Sequence, residues 1–181
     1  QKIIMNSGSL VTAEGSAGFD GGRVTFDADS PELAKIIIDN ATVKGAEIIL
    51  DADAVQSDVS VYANPTGVAR ADIQITDGSV IEAGDNITIT TSALQEDPGY
   101  AGGILFQFDA RRAQTVVNIE DSSLTASDDI TITGDSEVQT DLSKQGWANL
   151  ASLLPIDVAV AVTESKSDIE IGGNSQITSS S

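Results

Sequence analysis

Two short acidic motifs carry the side chains best suited to chemistry. Val24–Ser30 reads VTFDADS and Ile48–Ala54 reads IILDADA. Superimposed from Val24 and Ile48, they set Asp27 against Asp51 and Asp29 against Asp53 in neighbouring turns of the chain. Four carboxylates that close repel one another unless a cation or solvent relieves them. Ca²⁺, a hard ion bound by several oxygens, suits such a set, so Asp27, Asp29, Asp51 and Asp53 form a candidate metal site. In the competing reading both pairs splay into water at a strand end, since no complete loop with a known calcium-ligand spacing is present. No other cofactor is expected.

A second constellation is Asp128-Asp129 with Arg111-Arg112. Paired carboxylates can serve as acid and base in polysaccharide cleavage, and an arginine can act as a lyase base or substrate clamp. However, Asp128-Asp129 precedes a strand just as Gly84-Asp85-Asn86 does, which reads as an ordinary turn beside a solvated arginine pair. The chain has no His and no Cys. That removes the commonest general base and metal ligand, and with them triads, zinc sites and thiol chemistry. No catalytic residue is assigned, and an enzyme is not expected.

Charge narrows the partners further. Nine Lys and Arg face 28 Asp and Glu, a formal charge of -19. Sequence-independent phosphate binding needs a basic footprint, so nucleic acid is not an expected partner. No apolar run approaches the roughly 18 residues of a spanning helix, and QKIIMNSG at the start is not a secretory leader. Both ends fall inside repeats, so residues 1–181 are expected to be one domain cut from a longer polypeptide.

The elements that would position these residues are short strands in a repeating order. Ala71–Ala93 holds three apolar runs, Ile73/Ile75, Val80/Ala83 and Ile87/Ile89, separated by Asp-Gly and Gly-Asp-Asn. Alternation of apolar and polar residues marks strands, and the separators mark turns. The order recurs at Val117–Glu137 and Ile36–Ala54, and partly at Ile169–Ser181. A small hydroxyl residue before the second strand aligns Ser9, Thr42, Ser79, Ser123 and Ser175, with spacing that grows along the chain.

A constant core with connections of variable length accounts for that drift. Loops are expected at Glu14–Arg23, Leu94–Gly103 and Gln139–Pro155. Ser30-Pro31-Glu32-Leu33 predicts a capped helical turn. Trp147, Leu150 and Leu154 predict a short helix, closed by Pro155, that serves as a lid.

With no hairpin reversal between counterparts, pairing each strand with its copy one turn later gives parallel ladders. Ile75, Ile119 and Ile171 should then stack, as should Val43, Val80 and Leu124, while Ile156, Val158, Val160 and Val162 point inward. Asn40, Asp77 and Asp121, each followed by a small residue, fit tight corners. Thr88/Thr90 and Thr131/Thr133 would form an outward rank that the earlier turns, with Thr25/Asp27 and Ile49/Asp51, do not continue. The architecture expected is a right-handed parallel β-helix, all-β, of four to five coils.

VAVAVTESKSDIEIGGNSQITSSS, GDNITITTSA and SDDITITGDS together resemble the repeats of very large bacterial surface and secreted exoproteins. The chain is similar to the filamentous-haemagglutinin-like group, whose members form right-handed parallel β-helices within the pectin-lyase-like fold. That resemblance covers nearly the whole chain and implies extracellular display, adhesion and cell contact. The expected function is therefore a structural or adhesive scaffold at the cell surface that presents loops to a protein or glycan surface or to other copies. A polysaccharide-degrading β-helix enzyme is the alternative.

Overall fold

In a computed structural model, residues 1–13, 15, 21–57, 66–96, 106–139 and 158–180 are described. They form fourteen strands in chain order: β1 (Lys2–Met5), β2 (Leu10–Ala13), β3 (Arg23–Ser30), β4 (Leu33–Asp39), β5 (Thr42–Gly45), β6 (Glu47–Ser57) and β7 (Thr66–Thr76). The series continues with β8 (Val80–Ala83), β9 (Ile87–Glu96), β10 (Phe106–Glu120), β11 (Ser123–Ala126), β12 (Ile130–Val138), β13 (Val158–Gly172) and β14 (Gln176–Ser179). The fold is all-β with parallel sheets, and successive strands enter three different sheets in turn. The first sheet runs β1-β4-β7-β10-β13, the second β2-β5-β8-β11-β14 and the third β3-β6-β9-β12. Each strand thus pairs with the strand three places later, and every pair is parallel.

Register follows the apolar pattern, because a slip of one residue would turn every inward side chain outward. Ile3, Ile36, Ile73, Val117 and Ile169 occupy one column of the first sheet, and Met5, Ile38, Ile75, Ile119 and Ile171 the next. In the second sheet Val43, Ile81 and Leu124 form the inner column and are fully buried. The expected member Val80 lies one residue outside it, opposite Thr42 and Ser123.

The slip traces to the corners, which alternate in length. The column entering the second sheet is Ser9, Ala41, Ser79, Ser122 and Ser175, through Thr42 N to Ser9 O, Val80 N to Ala41 O, Ser123 N to Ser79 O and Gln176 N to Ser122 O. Thr76–Ser79 closes as a four-residue turn with positive φ at Asp77 and Gly78, the combination that Asp-Gly adopts at low cost. The corners at Asn40 and Asp121 are one residue shorter and put a single residue in the left-handed region, which Asn and Asp tolerate. Ser79, fully buried, places its Oγ 2.6 Å from Thr76 O and 3.0 Å from Ile38 O and accepts from Ala41 N. Ser175 Oγ repeats this with Gly172 O and Ile119 O two repeats later.

The core tapers. Ile48, Leu50, Ile87 and Ile89 of the third sheet are fully buried near the corners. Further along the same strands the buried residues shrink to Ala52, Ala54, Thr91 and Ala93, and the first sheet answers with Ala69, Ala71, Ala113 and Thr115. β6 and β9 pack on β7 there, and β9 and β12 on β10. Small side chains let the two sheets approach more closely than the usual ~10 Å between packed sheets.

Three local expectations are revised. Ser30–Leu33 is a bend rather than a helical turn, although Leu33 N still donates to Ser30 Oγ at 3.3 Å; with only two residues before β4, strand pairing prevails. Val162 is half-exposed, because the inward parity of β10, with which β13 pairs, belongs to Arg111 and Ala113. The Trp147 helix, the positions of Ile156, Val158 and Val160 as side chains, and most of the three loops lie outside the described residues.

Candidate functional site

The DxD register is as the sequence implies: Asp27 pairs with Asp51 and Asp29 with Asp53. Alternation fixes their direction. Ala28 and Ala52 between them are fully buried, so the aspartates face outward. The file ends at the next strand, where Asp51 meets Thr90 and Asp53 meets Ser92. Two carboxylates per column, side by side on a sheet, make a ladder rather than a cage. Among the described residues, no group of three or more acidic side chains converges as a metal site.

The ladder is electrostatically uncomfortable. Burial raises the carboxyl of Asp51 above its ordinary value of 3.8, and the charges of Asp27, Asp53 and Asp29 add to the effect in that order. Asp53 Oδ1 is buried without a hydrogen-bond partner. Beside it, Asp29, Ser30, Pro31, Asp53 and Val55 line a small open cleft.

A raised pKa means that folding penalises the charged form of Asp51. Below 3.8 both folded and unfolded chains are protonated and the penalty is absent. It appears as pH rises through 3.8 and is complete above the folded-state value. Asp51→Asn should therefore raise the melting temperature at pH 7 and lose the advantage near pH 3. Like charges set opposite across strands cost about 0.2–1 kcal/mol, so a shift of about 1–4 °C is expected in a thermal melt.

The second constellation does not assemble. Asp128 and Asp129 are exposed at the start of β12, where Asp128 N donates to Asp85 O and Asp129 N to Asn86 Oδ1. Arg111 sits at the far end of that strand and is 4% exposed, with Nη1 donating to Glu96 O at 3.0 Å and Gln139 O at 3.3 Å. A nine-residue strand separates them, about 30 Å at strand rise. Arg112 alone faces water and pairs with Glu164 at 3.0 Å. Adjacent strand residues point to opposite faces, so the two arginines could not both be solvated.

The buried polar group around Arg111 was not evident from the sequence. Gln95, fully buried, donates from Nε2 to Gln56 O at 3.1 Å, while its Oε1 and that of Gln56 are buried and unpartnered. Gly67 packs against it: a Cβ there would overlap the Gln95 side-chain amide. Arg111 and these glutamines close the thin end of the core, where Ile and Leu have given way to Ala and Gly. Arg111 and Gln95 act structurally there, as donors to carbonyls at the ends of the third-sheet strands.

The first sheet holds a further charged motif. Asp72 has a nearly buried side chain and takes Arg70 of its own strand at 2.7 Å and Lys35 of the neighbouring strand at 3.7 Å. Its carboxylate raises the pKa of Arg70 through their hydrogen bond. A corner cleft between the second and third sheets is floored by Gly45 and Gly84 and flanked by the Lys44–Glu82 ion pair at 2.5 Å.

Comparison with protein-family models, with curated proteins and with solved structures finds no match. The class that sequence and fold together define is an all-β protein of parallel sheets. Among the described residues, no helix is long and apolar enough to cross a membrane.

Proposed function

We propose that this chain is a right-handed parallel β-helix segment serving as a structural or adhesive scaffold outside the cell, presenting loops from one flank to protein or glycan surfaces. One observation carries the reading. The three sheets keep unbroken parallel register through four to five repeats, while the links from the third sheet back to the first grow from residues 31–32 to 58–65, 97–105 and 139–157. A repeat core that tolerates such growth at one junction is built to hold variable segments in a fixed row. The preference of parallel crossovers for one hand supports right-handedness. The resemblance to filamentous-haemagglutinin-like exoproteins supports the surface location, and the charge of -19 supports solubility and disfavours polyanions.

Replacing 139–157 by a short Ser-Pro-Glu link like that at 30–32 tests this. Immobilised chain should retain neutral glycans or cell-surface proteins, and the shortened variant should bind at least ~10-fold more weakly with an unchanged circular dichroism spectrum. Equal binding by both, or no binding by the parent, would count against loop presentation.

The aspartate ladder adds a second part to the proposal: Ca²⁺ associates with Asp27, Asp29, Asp51 and Asp53 and relieves their repulsion. The raised Asp51 carboxyl and the unpartnered Asp53 oxygen favour it. Excess Ca²⁺ should then raise the melting temperature over chelator in the parent but not in Asp51→Asn. Identical melting in both buffers would dismiss the ion.

A further inference from the structure

The corner cleft between the second and third sheets opens over the second and third repeats. It measures about 420 Å³ and is lined chiefly by Lys44, Gly45, Glu82, Gly84 and Asp85. Packing accounts for the glycine at Gly45, where a Cβ would lie 2.9 Å from Gly22 O. It does not account for Gly84. Its φ is outside the left-handed region, and a Cβ there would meet only Ala46 Cα at 3.6 Å and Gly45 O at 3.9 Å, both ordinary contacts. In the fourth repeat the same corner position is Ser127, since Ala126 pairs with Ala83 and Asp128 N donates to Asp85 O. The backbone therefore accepts a side chain at Gly84. What a side chain would remove is the open floor of the cleft.

Charge is placed with the same selectivity. One column of the second sheet runs Thr12, Lys44, Glu82, Thr125 and Thr178. Only the two members that line the cleft are charged, and they form an ion pair at 2.5 Å with side chains 37% and 46% exposed. Exposed Asp85 adds a second carboxylate. The set offers one ammonium donor beside two carboxylate acceptors. An anion is disfavoured by the surrounding charge of -19, and an organic ammonium would meet the like charge of Lys44. A metal ion is short of ligands, since no three acidic side chains converge among the described residues. A neutral molecule with adjacent hydroxyls suits the set best, because each hydroxyl can donate to a carboxylate or accept from Lys44 Nζ.

We propose that this cleft binds a neutral sugar, its ring over Gly84 and its hydroxyls held by Glu82, Asp85 and Lys44. The volume falls within the range of small-molecule sites. This rests on the scaffold reading and deepens it by naming the glycan class and a place for it. That place is separate from the long links, which join the third sheet to the first rather than the second to the third.

Saturation-transfer NMR of the full chain with neutral di- and trisaccharides of glucose, galactose and mannose tests the proposal. At least one saccharide should receive signal from the protein. Gly84→Gln, which covers the floor, and Glu82→Gln, which removes a charged acceptor, should each weaken that binding at least ~10-fold at an unchanged melting temperature. Thr125→Ala, in the same column outside the cleft, should leave it unchanged. The chain with 139–157 shortened should still bind, so failure of the cleft and failure of loop presentation are read apart. Binding lost with that link would overturn the cleft and leave the loop reading standing. No binding of any saccharide, or binding indifferent to both Gly84→Gln and Glu82→Gln, would overturn the proposal equally.

Discussion

Ile75→Ala should destabilise the chain by about 2–5 kcal/mol, the range for deleting most of a fully buried aliphatic side chain. The same change at Ile171 should cost about 1 kcal/mol or less, because only part of that side chain leaves water. The two residues share one column of the first sheet, with Ile119 between them. Among the described residues Ile75 has a strand on each side and is fully buried, while Ile171 has a strand on one side only and is 52% exposed. Chemistry, strand position and inward direction are matched, so the difference isolates the stacking of neighbours. Denaturant titration of both variants reads it. Equal losses would mean that the column does not exist.

Arg111→Met should be the larger of two neighbouring arginine effects. Arg111 satisfies Glu96 O and Gln139 O where the strands of the third sheet end. A methionine of similar length leaves the Glu96 and Gln139 carbonyls, both in partly buried bonds, without that donor, at about 1–3 kcal/mol for each acceptor that water cannot reach. Arg112→Met removes only an exposed pair with Glu164, worth about 0–1 kcal/mol. Chemical denaturation of the two variants should place Arg111→Met clearly below Arg112→Met. The reverse order would contradict the buried placement of Arg111.

The same pair shows where sequence reading falls short. Arg111-Arg112 looks like one basic unit, yet alternation sends one side chain into the core and the other into solvent. A buried arginine is legible only once the strand is known to continue through it. The thin end of the core was hidden for a related reason. Ala, Gly, Thr and Gln alternate there with polar residues, and burial by small side chains leaves almost no apolar period to detect.

What was legible rested on bulky aliphatics and on near-identical short motifs. The Ile75–Ile119–Ile171 column and the facing of Asp27 with Asp51 came from patterns that one register alone satisfies. Asn40, Asp77 and Asp121 do hold positive φ at the corners. The alignment on Thr42 and Ser123 missed by one residue because those two corners are shorter, and a hydroxyl residue stands beside the true column in each case. The geometry of the acidic ladder was thus readable, whereas the burial that raises Asp51 depends on packing across sheets.

Neighbouring-strand cysteines examine the stacking itself, since the chain has none of its own. Thr88 and Thr131 are register partners on β9 and β12, on the outward parity of the third sheet. Parallel neighbours lie about 4.8 Å apart, within disulfide reach, whereas a two-residue offset adds about 6–7 Å along the strand. In dilute, oxidised chain, Thr88→Cys with Thr131→Cys should close an intramolecular disulfide, and Thr88→Cys with Thr133→Cys should stay largely reduced. Closure of the second pair in preference to the first, or of neither, would contradict the parallel register from which every other conclusion descends.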